Sequence, residues 1–303
     1  MRIASYLHHQ QIHYGLMGPN GLCHIADCLP DAPEDLNTFI ALAHAQPGLL
    51  VQAKLAASSA AVVDMTQVQL LPCVPKPGKI ICLGVNYTDH AKEGGNVVAD
   101  FPALFFRSVT SLTPHNGPIA LPRVSDKLDF EAELALVIGQ RMKDVSEDHA
   151  LAGVFAYSCF NDATLRDYQK RTSQWTIGKN FDSTGGFGPY LVTADELPPG
   201  CDGLHIESRL NGQVMQSANT RDMVFGVART LALLTDCLTL EPGDVVVMGT
   251  PAGVGYARTP PVWMRSGDVI EIEIESVGVL RNVVQPASMA VAVAVAATVS
   301  EVR

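Results

Sequence analysis

Glu131 and Glu133 stand two residues apart in Asp129-Phe130-Glu131-Ala132-Glu133-Leu134-Ala135-Leu136-Val137-Ile138. With the period of a strand both carboxylates project to one side, followed there by Ala135 and Val137, while Phe130, Ala132, Leu134, Leu136 and Ile138 take the other. A solvated strand face stays polar along its length. This one turns apolar, so the pair is expected at the mouth of a core. Two carboxylates about 7 Å apart at an effective dielectric of about 20 repel by roughly 2 kcal/mol, which a shared proton, an Arg or Lys, or a metal cation must offset. Of these a metal is the expectation.

Other residues of the right type cluster in short runs. In Asn86-Tyr87-Thr88-Asp89-His90-Ala91-Lys92-Glu93-Gly94-Gly95, His90 and Glu93 are three apart and share a face of a short helix capped by Asn86 or Thr88. Gly94 and Gly95 end that helix and permit hinge motion. Asp162 closes a strand expected over 157–161, a helix cap being its competing role. Arg166 and Gln169 share a face of a short helix expected over 163–170, with an Arg166–Asp167 surface pair as the plain alternative.

The elements that position these residues follow from periodicity. Residues 1–70 read as a small unit, with short strands around a turn and one or two helices over 36–55. Pro72, Pro75, Pro77 and Gly78 mark a boundary. Beyond it, 79–85 and 245–248 are buried strands, 101–107 another, and 204–210 a strand turning at Asn211-Gly212. A helix over 146–156 is capped by Ser146, and one over 222–237 carries an apolar stripe. The alternation of 269–275 puts Glu271, Glu273 and Glu275 on a solvated face. Mostly strands with a few helices predict an α+β, mainly-β fold, divided into an N-terminal domain over 1–72, a catalytic domain over 73–285 and a low-complexity Ala/Val tail over 286–303.

Composition narrows the partners. The chain has 303 residues, with 21 basic against 31 acidic and a net charge of −10, which argues against nucleic acid and anionic membrane. An anionic substrate must then be drawn by local cations. Seven scattered cysteines without a C-x-x-C pair indicate neither a disulfide framework nor a zinc site, and His8, His9 and His13 lack a carboxylate or Cys at ligand spacing. No run of about 18 apolar residues occurs, and a cytoplasmic protein is expected. The glycine-rich segment 249–255 departs from the phosphate-cradling G-x-x-x-x-G-K-[ST] pattern, and no G-x-S-x-G elbow is present.

Four segments, in this order, resemble the fumarylacetoacetate hydrolase family: Gly84-Val85-Asn86-Tyr87-x-x-His90-x-x-Glu93, Phe130-Glu131-x-Glu133, Asn161-Asp162-x-x-x-Arg166-Asp167-x-Gln169, and Gly249-Thr250-Pro251-Ala252-Gly253-Val254-Gly255. Lys179-x-Phe181-Asp182 with Gly188-Pro189 adds a fifth, and the whole covers roughly 75–285. The resemblance implies a mixed β-sandwich roll, a homodimer, and a divalent ion held by Glu131, Glu133 and Asp162. Three carboxylates without His or Cys make a hard oxygen site suited to Mg²⁺ or Mn²⁺, with Ca²⁺ as a third candidate.

By the same resemblance His90 and Glu93 form a catalytic dyad on a mobile lid, and Arg166, Gln169, Lys179 and Thr250 line an anionic substrate site. Lys179 and Gln169 would also serve catalysis, neutralising an enolate and donating to an oxyanion. The activity expected first is hydrolysis of a C–C bond in a 2,4-dioxo acid, an acylpyruvate or a fumarylacetoacetate-like molecule, by way of a metal-held enolate. Decarboxylation of an oxaloacetate-type 2-oxo acid, and isomerisation or hydration of unsaturated 2-oxo acids in aromatic catabolism, need the same enolate. A metal- and ligand-binding protein without turnover is the reading from another class.

Overall fold

The computed structural model describes residues 1–95, 97 and 99–288. The Ala/Val tail from 289 onward lies outside the described residues. In chain order the strands used below are β1 (Arg2–His8), β2 (Gln11–Gly18), β3 (Gly21–His24), β4 (Ile80–Gly84), β5 (Ala103–Phe106), β6 (Pro118–Leu121) and β7 (Ala132–Ile138). They continue with β8 (Val154–Asp162), β9 (Gly185–Thr193), β10 (His205–Leu210), β11 (Gln213–Asn219), β12 (Val245–Val247), β13 (Val269–Ile274) and β14 (Gly278–Pro286). One large sheet runs β3-β2-β1-β9-β8-β7-β12-β4-β5, and a second runs β11-β10-β13-β14-β6. The fold is the mixed, mainly-β architecture expected from the sequence.

β7 lies between β8 and β12, and every one of its residues is buried. Its two faces feed two cores. Leu134, Leu136 and Ile138 pack with Ile206, Ile270, Ile272 and Leu280 of the second sheet, whereas Ala135 and Val137 pack with Phe39 and Ile40 from helix α1 (Leu36–Ala45). A strand covered on both sides needs apolar residues on both, which is why the carboxylate face turns apolar after Glu133. The N-terminal strands extend this same sheet, since Arg2 and Ile3 of β1 pair with Val192 and Leu191 of β9.

Three local expectations change. The helix expected over 146–156 is a single turn, Glu147–Ala150, followed by a 3-10 turn and then β8. Gly153 lies against Met142 there, where an added Cβ would meet the Met142 sulfur at 2.2 Å. Ser146 bonds the His149 ring at 2.8 Å instead of capping a backbone N–H. Helix α2 (Thr88–Glu93) has Tyr87 at its N-cap and no side-chain cap, so neither Asn86 nor Thr88 serves that purpose.

Candidate metal centre and active site

The carboxylates emerge where β7 begins. The expected strand 129–138 is interrupted: Leu128–Asp129 pairs with Thr164–Leu165, and regular pairing resumes at Ala132. Side chains take over the ladder at the break. The Phe130 N–H donates to Asp129 Oδ1 at 2.9 Å, and the Glu131 N–H donates to Asn161 Oδ1 at 3.0 Å. Across the ladder, β8 ends at Asp162, whose N–H donates to the Glu131 carbonyl at 3.0 Å. That register brings one oxygen from each of Glu131, Glu133 and Asp162 within 4.8 Å of one another, all three buried. Asp162 is thus part of the cluster and not a helix cap.

Three cations surround the triad. Arg107 donates to Asp162, and Lys179 donates to both Glu131 and Asp162. Arg166 donates to Glu131 Oε1 at 2.6 Å and to Asp129 Oδ2 at 2.8 Å. Arg166 therefore has buried partners, and Asp167 instead accepts from Ser125 Oγ at 2.7 Å. Burial alone would raise the Glu131 carboxyl, but the Arg166 and Lys179 charges overcome it and hold it well below the usual carboxylate range. Burial alone would lower Lys179, and Asp162 and Glu131 raise it instead, so it stays an ammonium.

Glu133 is the exception. Burial, reinforced by the charges of Asp162 and Glu131, pushes its carboxyl well above the ordinary value. The Gly249 N–H donates to it at 2.7 Å. Four buried carboxylates (Asp129, Glu131, Glu133 and Asp162) face three buried cations (Arg107, Arg166 and Lys179), so the cluster lacks one positive charge, and the lack falls on Glu133. A divalent ion there would more than offset the deficit, and the all-oxygen donor set suits Mg²⁺, Mn²⁺ or Ca²⁺. The residues present fit such an ion.

Around the triad lies a cavity of about 360 Å³, lined also by His90, Arg166, Gln169, Lys179 and Thr250. All the residues expected at the site line this cavity except Asp162, which joins Glu131 and Glu133 in the carboxylate cluster, and Glu93, which backs His90. The His90 Nδ1 stands 3.2 Å from Glu93 Oε2, leaving Nε2 as the free ring nitrogen. Glu93 is itself anchored: the Gly253 N–H donates to both its oxygens, at 2.9 and 3.1 Å. Gln169 accepts from Arg166 at 3.0 Å through Oε1, which fixes its amide with the NH₂ as the free end.

Several supports went unrecognised in the sequence. Gln216 Nε2 donates to Thr250 Oγ1 at 2.7 Å and to the Pro251 carbonyl at 2.9 Å, while its Oε1 accepts from the Ala132 N–H at 3.0 Å. Asp129 accepts from the backbone N–H groups of Gly255 and Tyr256 at 2.7 and 3.0 Å, tying loop 249–255 to Arg166. Asn86 binds the Phe225 N–H, the Phe225 carbonyl and the Met248 carbonyl. That strut holds Val85, which lines the cavity, at φ 58°, a left-handed conformation that a β-branched residue keeps only when its surroundings enforce it. Gly249 (φ 86°) is required opposite, since a Cβ there would sit 2.8 Å from the Asn86 Cβ.

A buried oxygen-donor cluster that could hold a divalent ion, flanked by cations, opens on a small cavity in a mixed β fold. A family model, the fumarylacetoacetate (FAA) hydrolase C-terminal domain, matches residues 79–285, and the chain belongs to that family. Human oxaloacetate tautomerase FAHD2A, mitochondrial, is 36% identical over 274 residues, covering 89% of this chain and 86% of that protein. Oxaloacetate tautomerase YisK of Bacillus subtilis is 40% identical over 223 residues, 72% of this chain and 74% of that protein. Among solved structures, maleylpyruvate hydrolase from Sphingobium sp. SYK-6 superposes with a TM-score of 0.77 at 29% identity, covering 94% of this chain and all of that one. No described helix is long and apolar enough to cross a membrane.

Proposed function

We propose that this protein is a divalent-metal-dependent enzyme acting on small 2-oxo acids, and that it moves a proton at the carbon next to the keto group. Enol–keto tautomerisation of oxaloacetate is the favoured reaction. The observation that carries this reading is His90, held by Glu93, in the same cavity as Glu131 and Glu133 of the acidic triad and two buried cations, Arg166 and Lys179. At about 360 Å³ that cavity is near the lower end of the usual range for ligand sites, a size for a short-chain acid. The names of the tautomerase relatives support the choice of reaction.

An ion held by Glu131, Glu133 and Asp162 would supply the positive charge that polarises the keto oxygen and neighbouring carboxylate, making the adjacent C–H acidic. The remaining work falls to the chain. Lys179 and Arg166 hold the anionic head, with Thr250 and the Gln169 amide as neutral donors. His90 Nε2 takes the enol proton and returns one to the carbon, so nothing is gained or lost overall. Glu93 fixes the His90 ring and stabilises its imidazolium. Lys179, kept charged by Asp162 and Glu131, is an electrostatic partner and not a base.

The reaction expected first from the sequence, hydrolysis of a 2,4-dioxo acid, is the second reading. The same dyad can activate water, and a solved neighbour is a maleylpyruvate hydrolase. Purified protein with Mg²⁺, given oxaloacetate and acetylpyruvate, separates the possibilities. Faster decay of the enol ultraviolet band without fragments is expected. Acetate from acetylpyruvate would replace the proposal by hydrolysis, CO₂ from oxaloacetate by decarboxylation, and ligand-dependent stabilisation without any product by a binding protein. A homodimer in the cytoplasm completes the proposal. A reducing compartment suits the seven cysteines, all of them free thiols.

A further inference from the structure

Arg107, Arg166 and Lys179 each sit on a buried carboxylate. Lys170 does not. It follows Gln169 at the end of the helical turn Arg166–Gln169, is exposed, and lines the same cavity. Among the described residues no carboxylate lies within ion-pair distance of it. What orients it is the ring of Tyr256: the Lys170 Nζ stands 4.8 Å from the ring centroid, and the Arg166 guanidinium carbon stands 4.5 Å from the same ring. A π face attracts a cation without neutralising it. Tyr256 is in turn fixed through its backbone N–H to Asp129.

The cavity therefore has two differently furnished ends. The inner end, at the triad, has cations already engaged by carboxylates, whereas the outer end presents an ammonium with its charge uncompensated. In a protein of net charge −10 such a group at a cavity mouth is an uncommon local attractor for an anion. A 2-oxo monocarboxylate would use only the inner end.

We propose that Lys170 receives the distal carboxylate of a 2-oxo dicarboxylic acid, and so sets a preference for dicarboxylic over monocarboxylic 2-oxo acids. The inference rests on the 2-oxo-acid reading of the site, in which oxaloacetate is itself a dicarboxylic acid, and adds the residue that selects for the second carboxylate. A charge-assisted bond at a partly solvated mouth discriminates by about tenfold.

The test compares 2-oxoglutarate with 2-oxopentanoate, which share a five-carbon skeleton and differ in a terminal carboxylate against a methyl. Dissociation constants are measured by titration calorimetry on the full chain loaded with Mg²⁺. Wild type is expected to bind the dicarboxylate more tightly. Lys170→Gln should weaken the dicarboxylate about tenfold and move the monocarboxylate by less than about twofold, and Lys170→Arg should restore the preference. Equal weakening of both ligands, or of neither, overturns the assignment while leaving the 2-oxo-acid reading in place. Failure of wild type to bind either ligand overturns both.

Discussion

Glu131 and Glu133 at the start of β7, and Glu271 and Glu273 on β13, are both carboxylates at alternate positions, and among the described residues only the first pair belongs to a cluster that could hold a metal ion. On β13, Glu271 and Glu273 alternate with buried Ile270, Ile272 and Ile274. Arg209, opposite Glu271 in the ladder, bonds Glu271 at 3.2 Å, Glu273 at 2.6 Å and Glu207 at 2.8 Å. One cation thus serves three carboxylates, a poorer ratio than at the triad, where three cations serve four. Charge counting alone would choose the wrong cluster. Water decides the matter: the Glu271 and Glu273 side chains are 27% and 42% exposed, against 4% for Glu131. Solvent screens the first set, whereas the second needs a counter-ion.

The largest effect that tests this contrast is expected from Glu133→Gln. Replacing one of three carboxylate ligands by a neutral amide should lower Mg²⁺ affinity beyond the roughly 10- to 100-fold typical of outer-shell changes, and activity should vanish with it. Calorimetry of Mg²⁺ binding checks this, and unchanged affinity would remove Glu133 from the ligand set. His90→Ala should bind Mg²⁺ as wild type does yet lose about 10²- to 10⁴-fold in rate. Full turnover by that variant would end its assignment as the proton carrier.

Smaller effects lie further out. Gln216→Ala leaves the Ala132 N–H and Thr250 hydroxyl without their partner, and urea unfolding should show a loss of about 1–3 kcal/mol. Glu271→Gln should change stability by no more than about 1 kcal/mol and leave turnover alone. A large rate defect in Glu271→Gln would mean that the two carboxylate strands are not functionally distinct.

What the sequence disclosed was local. The spacing of Glu131 with Glu133, and of His90 with Glu93, follows from the periods of strand and helix, and Asn211-Gly212 turns the β10–β11 hairpin as expected. Two helices over 36–55 also appear, as Leu36–Ala45 and Gly48–Ala56. What it hid was the scaffolding. Asn86 has the composition of a cap, but its partners, Phe225 and Met248, are 139 and 162 residues away. Arg107 meets Asp162 across 55 residues and Gln216 meets Ala132 across 84. No local pattern encodes such pairings, because each exists only after the sheet has assembled.

The joint between β1 and β9 also bears on how the protein can be divided. The family match begins at residue 79, yet β9, beside the Asp162 strand, has its outer rim covered by residues 2 and 3. A fragment starting near the match would leave backbone N–H and C=O groups bare along that rim and strip Phe39 and Ile40 from the apolar side of β7. Such a piece would present an open template for pairing with its own kind, and self-association would compete with folding.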